Sequence, residues 1–421
     1  MMRRIHTAVL LLLTAGLFLL PALSASAQDW PQFRGPDTTS SSLRDDLPVE
    51  WSVETGAGIA WQADLPGNGV STPIVVGDRV IVTAASGADN DRLHVLAFDA
   101  RSGDKLWQRQ FWATGRTQVY RTSSVAAGTP ASDGARVFAL YSSNDLVALD
   151  LEGNLLWIRS LTQQHPKLGN DIGMASSPVF VPTGGGSDNS GGGGVVVAQC
   201  ESKTASFLAA FDPQTGATLW EVTRPEESNW TSPIAVGEGV LAQSREKFTM
   251  YAAATGDVLW EESADCASIS SPVLAGDTLL VPADGVLALT ASSDAAPEVR
   301  WSASRVKPGS PSVAVGGGVL YAIARGGIMT AASLDTGEPL WKQRLGGTFW
   351  ATPVVTPSRV YAANQGGAVF VVSTDGGEVL AENKMGADLY GSPVAAAGGL
   401  FLRSNETLWK IATPLQASRQ P

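Results

Sequence analysis

With 40 Asp and Glu against 29 Lys and Arg over 421 residues, the chain carries a formal charge of −11. Such a chain repels phosphate backbones and anionic bilayers, which argues against a nucleic-acid partner. Its 45 Gly and 13 Trp suit many short strands and tight turns with aromatic plugs between them, and no long helix is expected.

The first residues read Met1-Met2-Arg3-Arg4, then an apolar run from Ala8 to Leu20, then Ser24-Ala25-Ser26-Ala27 before Gln28. A basic start, an apolar middle and a small-residue end make a secretory signal peptide over residues 1–27, cleaved near Ala27. The apolar run falls short of the about 20 residues a membrane span needs. The expectation is a secreted or periplasmic protein without stable membrane insertion, more acidic still once Arg3 and Arg4 have left. Residues 28–50 form an N-terminal extension, 51–412 a repeat region and 413–421 a C-terminal tail. Cys200 and Cys266 are the only cysteines, and they either bond or stand as independent thiols.

Two signals recur through the repeat region. The first is a small hydroxyl residue, then Pro, then apolar residues running into a Gly turn, as in Ser71-Thr72-Pro73-Ile74 and Ser176-Ser177-Pro178-Val179. Further copies centre on Pro130, Pro233, Pro272, Pro311, Pro353 and Pro393, and the later spacing of about 40 residues is that of one four-stranded propeller blade. The second is Ala-x-Asp-x-x-x-Gly-x-x-x-Trp, as in Ala97, Asp99, Gly103 and Trp107, or Ala210, Asp212, Gly216 and Trp220. In that turn the Asp bonds its own backbone and the Gly supplies positive φ. Degenerate copies end at Trp157, Trp260, Trp301 and Trp341, while Ala381 stands where the next Trp would be.

Each unit therefore reads as strands A to D, with Pro opening A and Trp on D. Sheets apolar on both faces must stack, and radial closure lets them do so without long edges. The last unit lacks its own strand D, and Ile59-Ala60-Trp61-Gln62 supplies it from the other end of the repeat region. The predicted fold is all-β, an eight-bladed propeller of four-stranded antiparallel blades closed by the N-terminal strand. Seven is the rival count, if the divergent unit between Phe111 and Trp157 does not complete a blade.

This Trp-bearing repeat resembles the docking motif of quinoprotein alcohol dehydrogenases. It is more similar still to their noncatalytic relatives, the BamB-type assembly factors and PQQ-like repeat proteins. The opening Asp29-Trp30-Pro31-Gln32-Phe33-Arg34-Gly35-Pro36 is similar to the start of exported members. For the enzymes the resemblance implies pyrroloquinoline quinone and calcium over the central channel. The sequence departs from them in having no adjacent Cys pair, no Cys-x-x-Cys-His and no matching calcium or catalytic motif. It departs from the assembly lipoproteins in having no Cys after the leader to carry a lipid.

In this topology the D-to-A and B-to-C loops surround one channel mouth, where propellers meet ligands. The D-to-A loops bring Tyr120 and Arg121, Asp171, Trp230, Trp350 and Tyr390, and the B-to-C loops bring Glu201 with Lys203, Arg245, Arg325 and Asn364. Aromatics there stack on a planar ligand or anchor a peptide, while Lys203, Arg245 and Arg325 hold carboxylates. Trp230 and Trp350 stand outside the strand D position, so scaffold packing does not account for them. Asp171, Asp265, Asp284 and Asp388 occupy different units and make no ligand loop, so no metal site is read. The Gly-rich stretch between Gly184 and Gly194 lacks a Gly-Lys-Ser/Thr ending and reads as an insertion in an A-to-B hairpin. His94 and His165 fit a core and a loop position rather than a triad.

The sequence thus points to a non-enzymatic binding or scaffold propeller of the cell envelope. Its expected partner is an envelope protein or peptide, or a small-molecule ligand, and no cofactor is expected. The alternative is a dehydrogenase of alcohols or sugars using PQQ and calcium. A carbohydrate-binding role rests on Trp230, Trp350 and Tyr390 alone.

Overall fold

A computed structural model describes residues 29–169, 172–184 and 193–412. Its thirty-two strands among the described residues group into eight four-stranded antiparallel sheets. In blade 1 these are Ile74–Val76, Arg79–Ser86, Arg92–Asp99 and Lys105–Trp112, hydrogen-bonded in chain order. The divergent unit forms a full blade 2, from Ala131–Ser132 through Arg136–Leu140 and Asp145–Asp150 to Leu155–Ser160, which excludes the count of seven. Blades 3 to 7 follow in order, and blade 8 joins the two ends. Its strands Val394–Ala396, Gly399–Arg403 and Thr407–Ile411 are completed by Ile59–Asp64, with Gln62 opposite Trp409. No helix among the described residues is long and apolar enough to cross a membrane.

Strands B and C are buried on both faces, as in Val80–Ala85 and Leu93–Phe98, so each blade depends on its neighbours. Strand D supplies the contact. The Trp220 indole of blade 3 lies on the turn Gly256 of blade 4, where an added Cβ would come within 2.7 Å of the ring. Its Nε1 donates to the Ala253 carbonyl at 2.8 Å. Gly256 is required twice over, by that approach and by its φ of 78°. Trp61, Trp107, Trp157, Trp301 and Trp341 repeat the arrangement on the next blade, and Trp61 carries it across the closure from blade 8 to blade 1. Trp260 keeps the indole hydrogen bond, to Ser292 O, although its turn has no glycine. At Ala381 the indole is missing, and the first residue after the extension brings a Trp into the same region. Trp51 shares an apolar cluster with Ala381. Its amide donates to Asn383 Oδ1, and Asn383 Nδ2 donates to Val49 O, both at 2.9 Å.

A hydroxyl residue beside each repeat Pro, before it in seven blades and after it at Ser312, serves a common purpose. The amide of Thr72 donates to Thr129 Oγ1, Thr129 to Ser177, Ser177 to Ser232, Ser232 to Ser271, Ser271 to Ser312, Ser312 to Thr352, Thr352 to Ser392, and Ser392 back to Thr72, all at 2.9–3.3 Å. Eight hydrogen bonds thus run once round the axis, one across each blade junction. All eight residues are buried, so a missing acceptor would leave an unsatisfied amide at a cost of about 1–3 kcal/mol.

The extension crosses the axis. Trp30 pairs with Val75 of blade 1 through two backbone bonds of 2.8 and 2.9 Å, and Pro31 O accepts from the Ser132 amide of blade 2. Arg34 Nη1 then donates to Pro272 O of blade 5 at 2.7 Å, Thr39 O accepts from Val315 of blade 6, and Ser40 Oγ donates to Pro353 O of blade 7. Arg34, Thr38 and Ser40 hold φ of 67°, 62° and 56°, a conformation that side chains other than glycine resist. Burial pushes the Arg34 guanidinium down to about 9.

Glu201, expected in a mouth loop, instead ends strand Gly194–Glu201 of blade 3 and is fully buried with Arg224. Its carboxylate accepts from Arg224 Nε and Asn229 Nδ2, both at 2.7 Å, and from Ser244 Oγ at 3.3 Å. Arg224 also donates to Ser244 Oγ and Tyr251 OH, which ties blade 3 to blade 4. Although burial opposes its charge, Glu201 and Tyr251 hold the guanidinium above its ordinary value.

Two stability measurements test this scaffold. Trp220→Ala should lower unfolding free energy by about 3–5 kcal/mol in urea, because the indole fills an inter-blade gap; a loss under about 1 kcal/mol would contradict that role. Glu201→Ala should cost a similar about 3–5 kcal/mol by stranding a buried cation, and the double variant with Arg224→Leu should recover part of it.

Candidate binding funnel

The hydroxyl ring forms the waist of a funnel of about 250 Å³. Each ring hydroxyl accepts an amide and retains a proton to donate, so the waist is polar and uncharged. Two residues earlier in each blade comes a second tier: Val70, Ala127, Ala175, Trp230, Ile269, Ser310, Trp350 and Tyr390 all line the cavity. Where that tier is narrowest in side-chain bulk, at Ala127 and Ala175, Tyr120 and Ile172 fill in, joined by a backbone bond of 3.0 Å. Phe33 of the extension lines the same cavity, brought there by the segment that crosses the axis. None of the described lining residues is charged.

The rim aromatics are held by their polar tips. Trp230 Nε1 donates to Gly173 O at 2.8 Å and its amide to Ser268 O at 2.8 Å. Trp350 Nε1 donates to Gln365 Oε1 at 3.1 Å, and Tyr390 OH donates to Asp388 Oδ2 at 3.1 Å. Burial and the neighbouring Asp388 raise the Tyr390 phenol above its ordinary value, so it stays neutral. With their polar atoms engaged, the rings offer apolar faces.

Of the residues expected at the mouth, Tyr120, Trp230, Trp350 and Tyr390 are brought together in the funnel. Arg121 lies outside its lining, with its guanidinium 6.0 Å from the Tyr120 ring centroid. Lys203 lines a neighbouring groove with Arg116 and Lys167. Arg325 lines another with Lys307, and Arg245 lies exposed, its amide bonded to Glu227 Oε1. Asn364 is buried and works in its own turn, accepting from the Ala368 amide at 2.9 Å and packing on Gly347. Asp171 lies outside the described residues, as does most of the Gly-rich insertion, whose flanks Val179–Pro182 and Gly194–Glu201 form the expected hairpin.

Residues missed by sequence reasoning are Phe33 and the tier members Val70 and Ile269. The tier had a signal, since each member sits two positions before a ring hydroxyl. His94 is a satisfied core residue, bonded to Ser86 Oγ at 2.7 Å and Gln108 Nε2 at 3.2 Å, and burial lowers its pKa. His165 pairs with Glu221 and stacks on Phe207. Cys200 and Cys266 are free, and burial pushes both thiols up to about 12. No group of three or more His, Cys, Asp or Glu among the described residues is placed to hold a metal.

Comparison with known proteins agrees with this architecture. Residues 37–203 and 204–413 match the family model described as outer membrane protein assembly factor BamB. BamB of Yersinia pestis is 25% identical over 239 residues, covering 55% of this chain and 53% of that protein. Polyvinylalcohol dehydrogenase of Sphingopyxis sp. (strain 113P3) is 30% identical over 168 residues, 39% of this chain and 23% of that one. The chain therefore spans at most about half the length of these curated relatives. Among solved structures, BamB from Moraxella catarrhalis superposes with a TM-score of 0.61 at 14% identity, covering 86% of this chain and 99% of that one. A europium-containing methanol dehydrogenase gives 0.67 at 13% identity, with 90% of each chain covered. At such identities the two superpositions speak for the fold alone. Fold, repeats and a family match over most of the sequence agree that this chain belongs to the outer membrane protein assembly factor BamB family of PQQ-like repeat propellers.

Proposed function

We propose that this chain is a non-enzymatic binding propeller of the cell envelope, which receives an uncharged apolar part of a partner protein in its aromatic funnel. The observation that carries the reading is the chemistry of the funnel: four rim aromatics above a neutral hydroxyl ring, with Phe33 beneath and no charged group in the described lining. Such a surface gains affinity by removing apolar area from water and sets orientation through hydroxyl donors. The signal-peptide pattern of residues 1–27 supports export. The relatives named as assembly factors support an envelope protein as partner.

The second reading, a PQQ-dependent dehydrogenase, is favoured by the likeness to alcohol-oxidising propellers. The residues present do not suit the group. Its carboxylates call for cationic partners, and calcium calls for several oxygen ligands that include carboxylates. The described funnel lining offers hydroxyls and rings instead.

A photo-crosslinking amino acid placed at Tyr120 should join the protein to a specific envelope protein in cells. Trp230→Ala with Trp350→Ala should reduce that yield at least tenfold, as expected for paired aromatic anchors. The reading falls if purified protein given PQQ and calcium binds the quinone and turns over alcohols in a dye-linked assay.

A further inference from the structure

The funnel has a neighbour of opposite chemical character. A groove of about 780 Å³ opens beside it, and the two cavities share Trp230 and Ile172 as a common wall. Arg116, Lys167 and Lys203 line the groove, and no carboxylate does so among the described residues. Both lysine side chains are exposed, and neither is engaged by a carboxylate among the described residues. Lys167 and Lys203 bring two exposed cations together on a chain of net charge −11, so the local attraction there is for anions.

Size narrows the ligand further. The funnel, at about 250 Å³, lies below the roughly 300–1,000 Å³ of ordinary small-molecule pockets but accepts one large side chain. The groove, at about 780 Å³, is the roomier of the two. Resting on the binding role proposed above, we infer that funnel and groove form one bipartite site. It takes a polypeptide segment in which an aromatic or large aliphatic side chain is followed closely by a carboxylate. The side chain enters between Trp230, Trp350 and Tyr390, and the carboxylate crosses the Trp230 wall to Lys167 and Lys203.

Fluorescence anisotropy of the mature protein with a labelled peptide Gly-Ser-Gly-Phe-Asp-Gly-Ser tests this. Relative to that peptide, an Asp→Asn version should bind about fivefold more weakly, the order expected of exposed charge pairs, and a Phe→Ser version should lose binding. The variant Lys167→Ala with Lys203→Ala should lower affinity for the Asp peptide by the same factor and leave the Asn peptide unchanged. Salt at 1 M should abolish the difference between the two peptides, because screening then acts within about 3 Å. If the Asp and Asn peptides bind the wild-type protein equally, or if the lysine variant weakens both alike, the bipartite inference is overturned while the funnel reading stands. If no Phe peptide binds, the bipartite inference is overturned, and if Trp350→Ala also leaves the crosslinking yield at Tyr120 unchanged, the funnel reading falls with it.

Discussion

Circular closure is the constraint to which the rest of this structure answers. A four-stranded blade that is apolar on both faces is not stable alone, and each one here is fastened to the next at two radii. At the outer radius a Trp on strand D covers a turn glycine of the following blade at six of the eight junctions, as Trp220 covers Gly256, with Trp260 meeting a turn without glycine and Ala381 lacking the indole. At the inner radius one amide donates to one hydroxyl across every junction, and the last, from Ser392 to Thr72, spans 320 positions of sequence. Each inner bond is worth about 1 kcal/mol net, so its main effect is to fix the register in which neighbouring blades meet. Opening the ring anywhere would expose two whole blade faces, which makes the closure cooperative.

The inner ring also sets the chemistry of the channel. Because each Ser or Thr hydroxyl spends its lone pair on a neighbouring amide, scaffold demand rather than ligand demand keeps the waist neutral. The tier two positions earlier follows the same geometry but escapes the scaffold requirement, so its members vary from Ala127 to Trp230. Blade register is therefore encoded in one residue of each loop and the lining of the funnel in another, two positions away.

The fold was legible because its signals are local and repeated: eight Pro-bearing units, a Trp and Gly at fixed spacing, and a strand missing at one end and present at the other. The rim aromatics were legible for a related reason, since Trp230 and Trp350 have no place in the strand D pattern. What the sequence did not reveal depends on contacts without local periodicity. The crossing of the axis by the extension rests on pairs such as Arg34 with Pro272, 238 positions apart. The packing of Trp51 in the apolar cluster of Ala381 is of the same kind. Polar residues were the hardest to place, because loop position alone does not tell a ligand-facing group from one that serves its own turn. Asn364 and Glu201 both turned inward to satisfy backbone and Arg224, while Lys203 and Arg325 settled in side grooves and Arg121 and Arg245 lie outside the funnel lining.

Family likeness and site chemistry then have to be weighed separately. Related propellers include both assembly factors and alcohol-oxidising enzymes, so the shared blades do not choose between them. The choice falls to the groups that face the channel. Oxidation over a bound quinone needs charge held in place at the cofactor and a base beside the substrate, and both need ionisable side chains. In the described funnel the ionisable side chains are the phenols of Tyr120 and Tyr390, and burial together with Asp388 keeps the Tyr390 proton in place. On the binding role proposed above, a lining of this kind discriminates by shape and by apolar area. The extension adds Phe33 to that lining, on a segment whose following residues Arg34, Thr38 and Ser40 are held at costly positive φ.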